Sequence, residues 1–285
     1  MAPEDFEFAA RFLKERSGLV LTRDKTYLLE NRLMPVVREL KLKSVAELIA
    51  AVRAGEPALQ TAMIDAMMAK DAAFFRDWKP FVHFRTVVLP NVRVARGIQT
   101  RLRVLSAGVS TGQEAHSIAM TIKDVSSSFP GWHVEVVGID ISAPAIAAAA
   151  KGVYGQFDVQ RGLPIRTLLQ YFTKQEDAWV LSDNVRSMVK FQTWNLMDDL
   201  FPLGRFDAIF CRNVLVYLDL KTKLELLQKL GRLLVDDGVL YLGLNETVMG
   251  VSSNFRAVDP NLGIYAAPPR ADRPDSLSLA AKVDL

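Results

Sequence analysis

The sequence predicts an α/β protein with a mainly parallel sheet covered by helices on both faces, preceded by a helical domain and interrupted by a small inserted subdomain. Residues 1–70 carry apolar residues at helical spacing, and no strand pattern precedes residue 100. Farther on, short apolar runs rich in branched residues alternate with helical stretches, which is typical of a mainly parallel sheet. The alternation breaks at about residues 152–190, where an insertion is the simplest account.

The first 70 residues are expected to form a bundle of helices. The first helix carries Phe6 on its apolar face, and Gly18 can end it. The second covers the apolar residues between 28 and 40, where Pro35 predicts a kink or a new helix start. Two further helices are expected at Val45–Ala54 and Pro57–Ala69.

The sheet is expected to contain five strands, of which the last is antiparallel: Leu102–Ser106, Val134–Ile139, Ala208–Cys211, Val239–Leu244 and Leu262–Ala267. Leucines from Leu224 to Leu234 repeat at helical spacing before the fourth strand, and Gly238 is expected to end that helix.

The insertion at 152–190 is predicted to start as a loop as far as Pro164. A helix at Ile165–Phe172 and strands at Ala178–Leu181 and Met188–Phe191 should follow. Residues 268–285 are rich in proline, alanine, serine and charge, so a disordered tail is expected there.

Composition excludes several classes of protein. With 35 basic and 32 acidic residues the net charge is +3, too mild to predict nucleic-acid binding. The single cysteine, Cys211, forms no internal disulfide and fits a cytoplasmic location. The three histidines and Cys211 lack metal-ligand spacing, so no metal is expected. The first residues do not form a signal peptide, and no apolar stretch is long enough for membrane insertion.

The turn Gly108–Gly112 follows the first predicted strand and precedes a helix, as in nucleotide-type sites. Its G-x-S-x-G spacing also matches a hydrolase nucleophile elbow, but His116 and His133 lie too early for a catalytic histidine. Nicotinamide and P-loop motifs are not matched. An S-adenosylmethionine site fits better, because Asp140 ends the second strand where an acid can accept ribose hydroxyls. A turn without ligand, and Asp140 as a helix cap, remain alternatives.

Several strings together resemble one family, the CheR-type chemotaxis receptor methyltransferases. The strings are FFRD (74–77), SAGVSTGQEAHSIAM (106–120), GIDIS (138–142), NL (195–196), FDAIFCRNVLVYL (206–218) and LGLNE (242–246). The resemblance spans residues 1 to about 267. It implies an all-helical receptor-binding domain at 1–70 and a Rossmann-like S-adenosylmethionine-dependent methyltransferase domain at 71–267. It further implies methylation of glutamates on the cytoplasmic helices of chemoreceptors, with S-adenosylhomocysteine as product.

The resemblance also implies roles for individual residues. The implied cofactor contacts are Arg76, Ala107, Gly108, Glu114, Asp140, Asn195, Leu196, Asn213 and Val214. Arg212 and Tyr217 are implied to position the substrate carboxylate, although Tyr217 could instead belong to the core.

Three of the cofactor contacts have plainer alternatives. Arg76 could form an ion pair with Asp71 or Asp77. Glu114 could only complement the helix dipole, and Asn195 could be a turn residue.

The chain departs from the family pattern at two motifs. A T-N-x-T stretch is replaced by Ala69–Ala72, which predicts that two polar cofactor contacts are lost or replaced. The usual G-E-E-P-Y-S is replaced by Gly112–Ser117. These changes leave open an alternative function, a catalytically weak cofactor-binding sensor or adaptor.

Two regions of the chain are relevant to receptor binding. The stretch Phe172–Asn184 has no glycine where some members dock a receptor's C-terminal peptide, so no tethering is expected. Four basic residues could face an acidic receptor helix, or form a solvated surface: Arg32, Arg38, Lys41 and Lys43.

Overall fold

The computed structural model describes residues 1–68, 71–97 and 100–267. The predicted tail, 268–285, and Lys70 lie outside the described residues.

Four helices form the N-terminal domain: α1 (Pro3–Ser17), α2 (Thr26–Glu39), α3 (Val45–Arg53) and α4 (Pro57–Met67). Gly18 ends α1 in the left-handed conformation, with φ +76°, which a glycine adopts at little cost. Ser44 caps α3 by accepting a hydrogen bond from the backbone of Glu47. Pro35 lies inside α2, so the expected new helix start at this residue is wrong.

Beyond the N-terminal domain the described residues form these helices: α5 (Lys79–His83), α6 (Leu89–Arg96), α7 (Gln113–Asp124), α8 (Ala143–Lys151), α9 (Gln156–Gln160), α10 (Ile165–Tyr171), α11 (Asp183–Arg186) and α12 (Leu220–Leu233). A π-helical stretch, Phe84–Val88, joins α5 to α6.

The strands of the described residues are β1 (Arg101–Ala107), β2 (His133–Asp140), β3 (Val153–Gly155), β4 (Phe172–Gln175), β5 (Ala178–Leu181), β6 (Val189–Thr193), β7 (Phe206–Cys211), β8 (Leu234–Leu242), β9 (Arg256–Asp259) and β10 (Ile264–Ala266). Seven of them form the main sheet in the order β6-β2-β1-β7-β8-β10-β9. The strands from β6 to β8 are parallel, and β10 is antiparallel to β8 and β9. The predicted mainly parallel α/β fold is confirmed.

The helix before β8 is shorter than the sequence predicts. It ends at Leu233, and Leu234 already pairs with Phe206 of β7. Gly238 lies inside β8, where the ladder with β7 is irregular and an added Cβ would approach the Val235 carbonyl oxygen to 2.9 Å. Leu234 is therefore buried by the sheet, although its spacing from the preceding leucines suits a helix.

The inserted subdomain is smaller than predicted. Its own antiparallel sheet has the order β3-β5-β4 and lies between Val153 and Leu181. The strand expected at Met188–Phe191 instead joins the main sheet as β6, parallel to β2. Strand β3 and helix α9 occupy part of the stretch predicted as a loop. Strand β4 escaped prediction because three of its four residues are exposed, so it has no apolar pattern.

Strands β2, β1, β7 and β8 are neighbours in the sheet and run in the same direction. The segments that follow them therefore meet at one edge, where α/β proteins bind ligands.

Candidate cofactor and active site

A cavity of about 390 Å³ lies at the carboxyl ends of β1, β2 and β7, and residues of the N-terminal domain form part of its wall. All of the predicted site residues except Ala107 line it: Arg76, Gly108, Glu114, Asp140, Asn195, Leu196, Arg212, Asn213, Val214 and Tyr217. Ala107 is 1% exposed and belongs to the core below the cavity, because it is the last residue of β1. Its side chain therefore supports the turn rather than facing the cavity.

The turn after β1 requires glycine. Gly108 has φ +77°, and a Cβ at this position would lie 2.6 Å from Cγ2 of Val214. The backbone nitrogens of Gly108 and Val109 both donate to the carbonyl oxygen of Ile139, at 2.9 and 3.0 Å. The glycine thus lets the first strand's turn lie directly against the loop that follows β7.

Asp140 ties the turn to the end of β2. Its carboxylate accepts hydrogen bonds from the backbone nitrogens of Ser110, at 2.8 Å, and Ser142, at 2.9 Å. Ser142, not Asp140, caps α8, by accepting from the backbone of Ala145. Burial raises the pKa of Asp140, and the two backbone N–H groups oppose this shift. Asp140 lines the cavity, so its carboxylate can accept additional donors from a ligand.

Glu114 and Arg212 form a buried charge cluster with Asp77. One guanidinium nitrogen of Arg212, Nη2, donates to Asp77 at 2.6 Å, and the other, Nη1, contacts Glu114 at 3.4 Å. Glu114 also accepts from the hydroxyl of Ser106 at 2.8 Å. Burial raises the pKa of Glu114, while the charge of Arg212 opposes the shift. The cluster therefore balances the positive charge of Arg212 within the protein.

The guanidinium of Arg212 is 1% exposed and lies over the ring of Phe81. Its Nε atom is buried and has no hydrogen-bond partner among the residues that the structure describes. Buried donors are normally paired, so the unpaired Nε marks Arg212 as a residue whose hydrogen bonds within the protein are incomplete.

Arg76 makes one of its two alternative ion pairs. Its Nη1 donates to the backbone oxygen of Asp71 at 2.9 Å and lies 3.7 Å from that residue's carboxylate. The alternative pair with Asp77 is wrong, because Asp77 is bound to Arg212. Arg76 is exposed enough to turn toward the cavity, and Ala72 lies beside it in the cavity wall, offering no polar side chain.

Asn195 fulfils its alternative role as a turn residue while also lining the cavity. Its side-chain oxygen accepts from the backbone of Met197 at 3.0 Å, and its Nδ2 donates to the carbonyl of Arg16 at 2.6 Å. The second bond crosses to the end of α1. Asn195 therefore joins the segment after β6 of the main sheet to the N-terminal domain at the cavity.

Tyr217 is 42% exposed, so its alternative role as a core residue is wrong. Its carbonyl oxygen accepts from the backbone nitrogen of Val20 at 2.9 Å. Two residues later, Asp219 forms an ion pair with Lys14 of α1 at 2.6 Å. The segment after β7 thus holds the N-terminal domain against the cavity and presents the tyrosine at its rim.

Sequence reasoning missed the contribution of α2. Lys25, Leu28 and Arg32 lie on one face of this region and line the cavity. Arg32 donates to the carbonyl oxygens of Met67 and Met68, at 2.5 and 3.3 Å. The expectation that Arg32 faces a partner is therefore wrong, because its side chain points inward; the spacing of 25, 28 and 32 was the available signal.

Glu246 was also missed as a structural element of the site, although it ends the LGLNE string. Its side chain is buried and accepts hydrogen bonds from the backbone nitrogens of Asn213 at 2.8 Å, Val216 at 3.2 Å and Gly243 at 2.7 Å. These donors lie in the loops after β7 and β8. Sequence alone gives no signal for bonds to backbone groups of a distant loop.

Among residues 1–68, 71–97 and 100–267, no group of three histidine, cysteine, aspartate or glutamate side chains is placed to hold a metal ion. In the same ranges, none of the helices has both the length and the apolarity needed to cross a bilayer.

Two family models match the chain over almost all of its described length. The model of the CheR methyltransferase all-alpha domain matches residues 4–68, and that of the CheR methyltransferase SAM-binding domain matches residues 70–264.

Curated relatives match along most of their length. Chemotaxis protein methyltransferase 1 of Pseudomonas aeruginosa is 34% identical over 267 residues, covering 92% of this chain and 97% of its own. A chemotaxis protein methyltransferase of Vibrio parahaemolyticus is 35% identical over 268 residues, covering 93% and 96%. That of Borreliella burgdorferi is 31% identical, covering 85% and 87%.

Proposed function

The chain belongs to the CheR methyltransferase family, an S-adenosylmethionine-dependent enzyme family, and from that premise we propose that it methylates glutamate side chains on the cytoplasmic helices of chemoreceptors. The products are glutamate methyl esters and S-adenosylhomocysteine. The observation that carries the proposal is the single cavity in which Glu114, Asp140 and the segment Arg212–Tyr217 meet. Because the proposed substrate is the cytoplasmic part of a receptor, we expect the protein itself to be cytoplasmic.

The cavity fits the cofactor. Its volume of about 390 Å³ is within the usual range of ligand sites. Asp140 is suited to accept ribose hydroxyls, Glu114 to pair with the amino group, and Arg76 to bind the carboxylate by leaving Asp71. Asn195 and Leu196, which also line the cavity, would hold the adenine side. When bound, the cofactor supplies a methyl group already activated on a sulfonium cation.

The substrate needs little activation from the protein. A glutamate side chain has an ordinary pKa of about 4.3, so it is already an anion at neutral pH and no general base is required. The protein's task is to align one carboxylate oxygen with the methyl group and to exclude water. Val109, Val214 and Leu196 give this part of the cavity an apolar lining.

Arg212 and Tyr217 would orient the substrate carboxylate. Both amino groups of Arg212 already contact Asp77 and Glu114, so a bidentate grip on substrate would require breaking these pairs. Arg212 lines the cavity, and a single contact from its guanidinium would leave the attacking oxygen unencumbered. The exposed Tyr217 side chain would donate its hydroxyl proton to the same group without adding charge.

The N-terminal domain, about residues 1–70, would bind the receptor. Arg38, Lys41 and Lys43 are exposed at the end of α2 and beyond it, where they suit an acidic helix. Tethering to a receptor's C-terminal peptide remains unexpected: the hairpin between β4 and β5 turns at Glu176, which has φ +50°, instead of carrying a glycine loop.

The test is methyl transfer from labelled S-adenosylmethionine to a receptor cytoplasmic fragment. Glutamate esters release labelled methanol in mild base, whereas methylated amines keep their label. The control is a fragment whose candidate glutamates are replaced by glutamine. We expect base-labile label in the first fragment and not in the second. If the protein binds S-adenosylhomocysteine but no fragment is labelled, the alternative of a cofactor-binding sensor replaces the proposal.

A further inference from the structure

The segment between β7 and α12 carries much of the cavity wall. Six of its residues line the cavity: Arg212, Asn213, Val214, Val216, Tyr217 and Leu218. Asn213 has φ +60°, in the left-handed region, which asparagine adopts more readily than most other residues. Hydrogen bonds to the backbone here can therefore fix the course of the whole segment.

The holding group is the carboxylate of Glu246. Its Oε2 accepts from the backbone nitrogens of Asn213, at 2.8 Å, and Gly243, at 2.7 Å, and its Oε1 accepts from Val216 at 3.2 Å. Each carboxylate oxygen thus binds a different part of the β7 segment. An amide side chain could accept at only one of these positions, because its NH₂ group has no lone pair to offer.

Gly243 makes this contact possible. A Cβ at this position would lie 2.8 Å from Oε2 of Glu246, 2.9 Å from Nδ2 of Asn213 and 3.1 Å from the backbone nitrogen of Asn213. A side chain here would therefore separate the carboxylate from the segment. Glycine and glutamate act together, three residues apart, to fasten the end of β8 to the segment after β7.

Glu246 does not itself line the cavity, whereas its neighbour Asn245 does. The predicted cofactor anchors Arg76, Glu114 and Asp140 lie on other segments and donate no hydrogen bond to Glu246, whereas the predicted cofactor contacts Asn213 and Val214 share the segment with Arg212 and Tyr217. Loss of the Glu246 hydrogen bonds would therefore remove part of the cofactor contacts but keep those three anchors, and it should impair methyl transfer more than cofactor binding.

We propose that Glu246 is a positioning residue for methyl transfer, which sets the place of Arg212 and Tyr217 through the backbone of the segment they share. This inference rests on the proposed function for its kinetic consequence, but its structural consequence can be measured without a substrate.

The test compares wild type with Glu246→Gln, and with Gly243→Ala as a second variant that removes no hydrogen-bonding group. Turnover is expressed per molecule able to bind S-adenosylhomocysteine, which removes the effect of misfolded protein. We expect kcat to fall by about tenfold or more, since misalignment of reacting groups is costly, while affinity for S-adenosylhomocysteine changes less than about threefold. Equal kcat per binding-competent molecule in wild type and Glu246→Gln would overturn the proposal.

The matched control is Asp259→Asn. Asp259 also accepts from two backbone nitrogens, those of Asn261 and Leu262, but lies outside the cavity wall. Both donors bind the same oxygen, Oδ1, which an asparagine keeps, so this variant should change neither kcat per competent molecule nor the melting temperature by much.

Amide hydrogen exchange gives the readout that needs no substrate. Glu246→Gln should speed exchange in residues 213–217 and leave residues 113–122 of α7 protected. Unchanged exchange in 213–217 would contradict the inference even if wild type never transfers a methyl group. A wild type without turnover, with the exchange difference present, would contradict the proposed function alone.

Discussion

Acidic side chains at the two ends of the parallel strands have different partners. At the amino ends, Arg96 pairs with Asp207 at 2.6 Å and Asp237 at 2.7 Å, and Glu135 pairs with basic side chains on β1 and β6. At the carboxyl ends, Asp140 binds backbone N–H groups and keeps a face toward the cavity.

The pKa values follow this difference. At the amino ends burial opposes the shift at Glu135, but Lys190 and Arg103 outweigh it and lower its pKa to about 2. At the carboxyl ends burial dominates and raises the pKa of both Glu114 and Asp140. Charges satisfied within the protein stabilise the sheet, whereas incompletely satisfied acids are typical of a ligand site. Variants at the amino ends should therefore change mainly the stability of the protein. Variants at the carboxyl ends should change mainly cofactor binding.

The largest effect on the site is expected from Gly108→Ala. The added Cβ would meet Val214 at 2.6 Å in a backbone with φ +77°, so the turn or the β7 segment must move. Affinity for S-adenosylhomocysteine should fall by about a hundredfold, equivalent to roughly 3 kcal/mol, as calorimetric titration can measure.

The control for this variant is Gly131→Ala. Gly131 has φ +74°, and an added Cβ would have no neighbour within 4 Å. It shows the cost of backbone strain alone and should leave affinity intact. Equal losses in the two variants would mean that contact with Val214 is irrelevant.

Asp140→Asn should weaken binding of the same ligand by about 1–3 kcal/mol, the usual cost of leaving buried polar partners unmatched. Its counterpart at the amino ends is Asp207→Asn, which disrupts the pair with Arg96. That variant should lower the free energy of unfolding by a similar amount and leave affinity unchanged. The comparison fails if Asp207→Asn weakens binding as much as Asp140→Asn does.

Tyr217→Phe should lower the rate of single-turnover methyl transfer by about tenfold, because the substrate carboxylate loses one orienting contact. Cofactor affinity and melting temperature should stay at wild-type values, since the ring is exposed at the rim. A silent variant would show that the hydroxyl does not touch the substrate.

The smallest effect on the site is expected from Glu135→Gln, which should not alter cofactor affinity at all. Its effect is on stability against pH. Because the pKa is about 2 in the folded protein and 4.5 ordinarily, the stabilisation is complete above pH 4.5 and is lost as pH falls through 2. Urea unfolding of wild type and variant should therefore differ at pH 6 and converge toward pH 2. If the difference in stability between wild type and variant did not depend on pH, the ion pairs of Glu135 could not be its cause.

The sequence predicted correctly those features that are determined by residues close together in the chain. Gly108 and Asp140 follow strands with clear apolar patterns, and the structure brings both to the cavity. Arg212 was predicted to face it as well, but its pairing with Asp77 and Glu114 depends on segments far apart in the chain.

The predictions that were wrong for Leu234 and Arg32 share a physical origin. Leu234 fits a helical repeat, but pairing with Phe206 places it in β8. Arg32 looks like part of a basic surface, but the carbonyl oxygens at the end of α4 turn it inward. In each case tertiary hydrogen bonding overrides a pattern that spacing alone cannot distinguish from another.

The most direct test of the account is the chemical identity of the product. A receptor cytoplasmic fragment is incubated with S-adenosylmethionine and the wild-type protein, digested under acidic conditions that preserve esters, and sequenced by mass spectrometry. The account predicts single methyl groups on glutamate side chains of the receptor helices, absent when Asp140→Asn replaces wild type at limiting cofactor. Methyl groups on lysine, arginine or a chain terminus, or an unmodified fragment beside protein that binds S-adenosylhomocysteine, would contradict it.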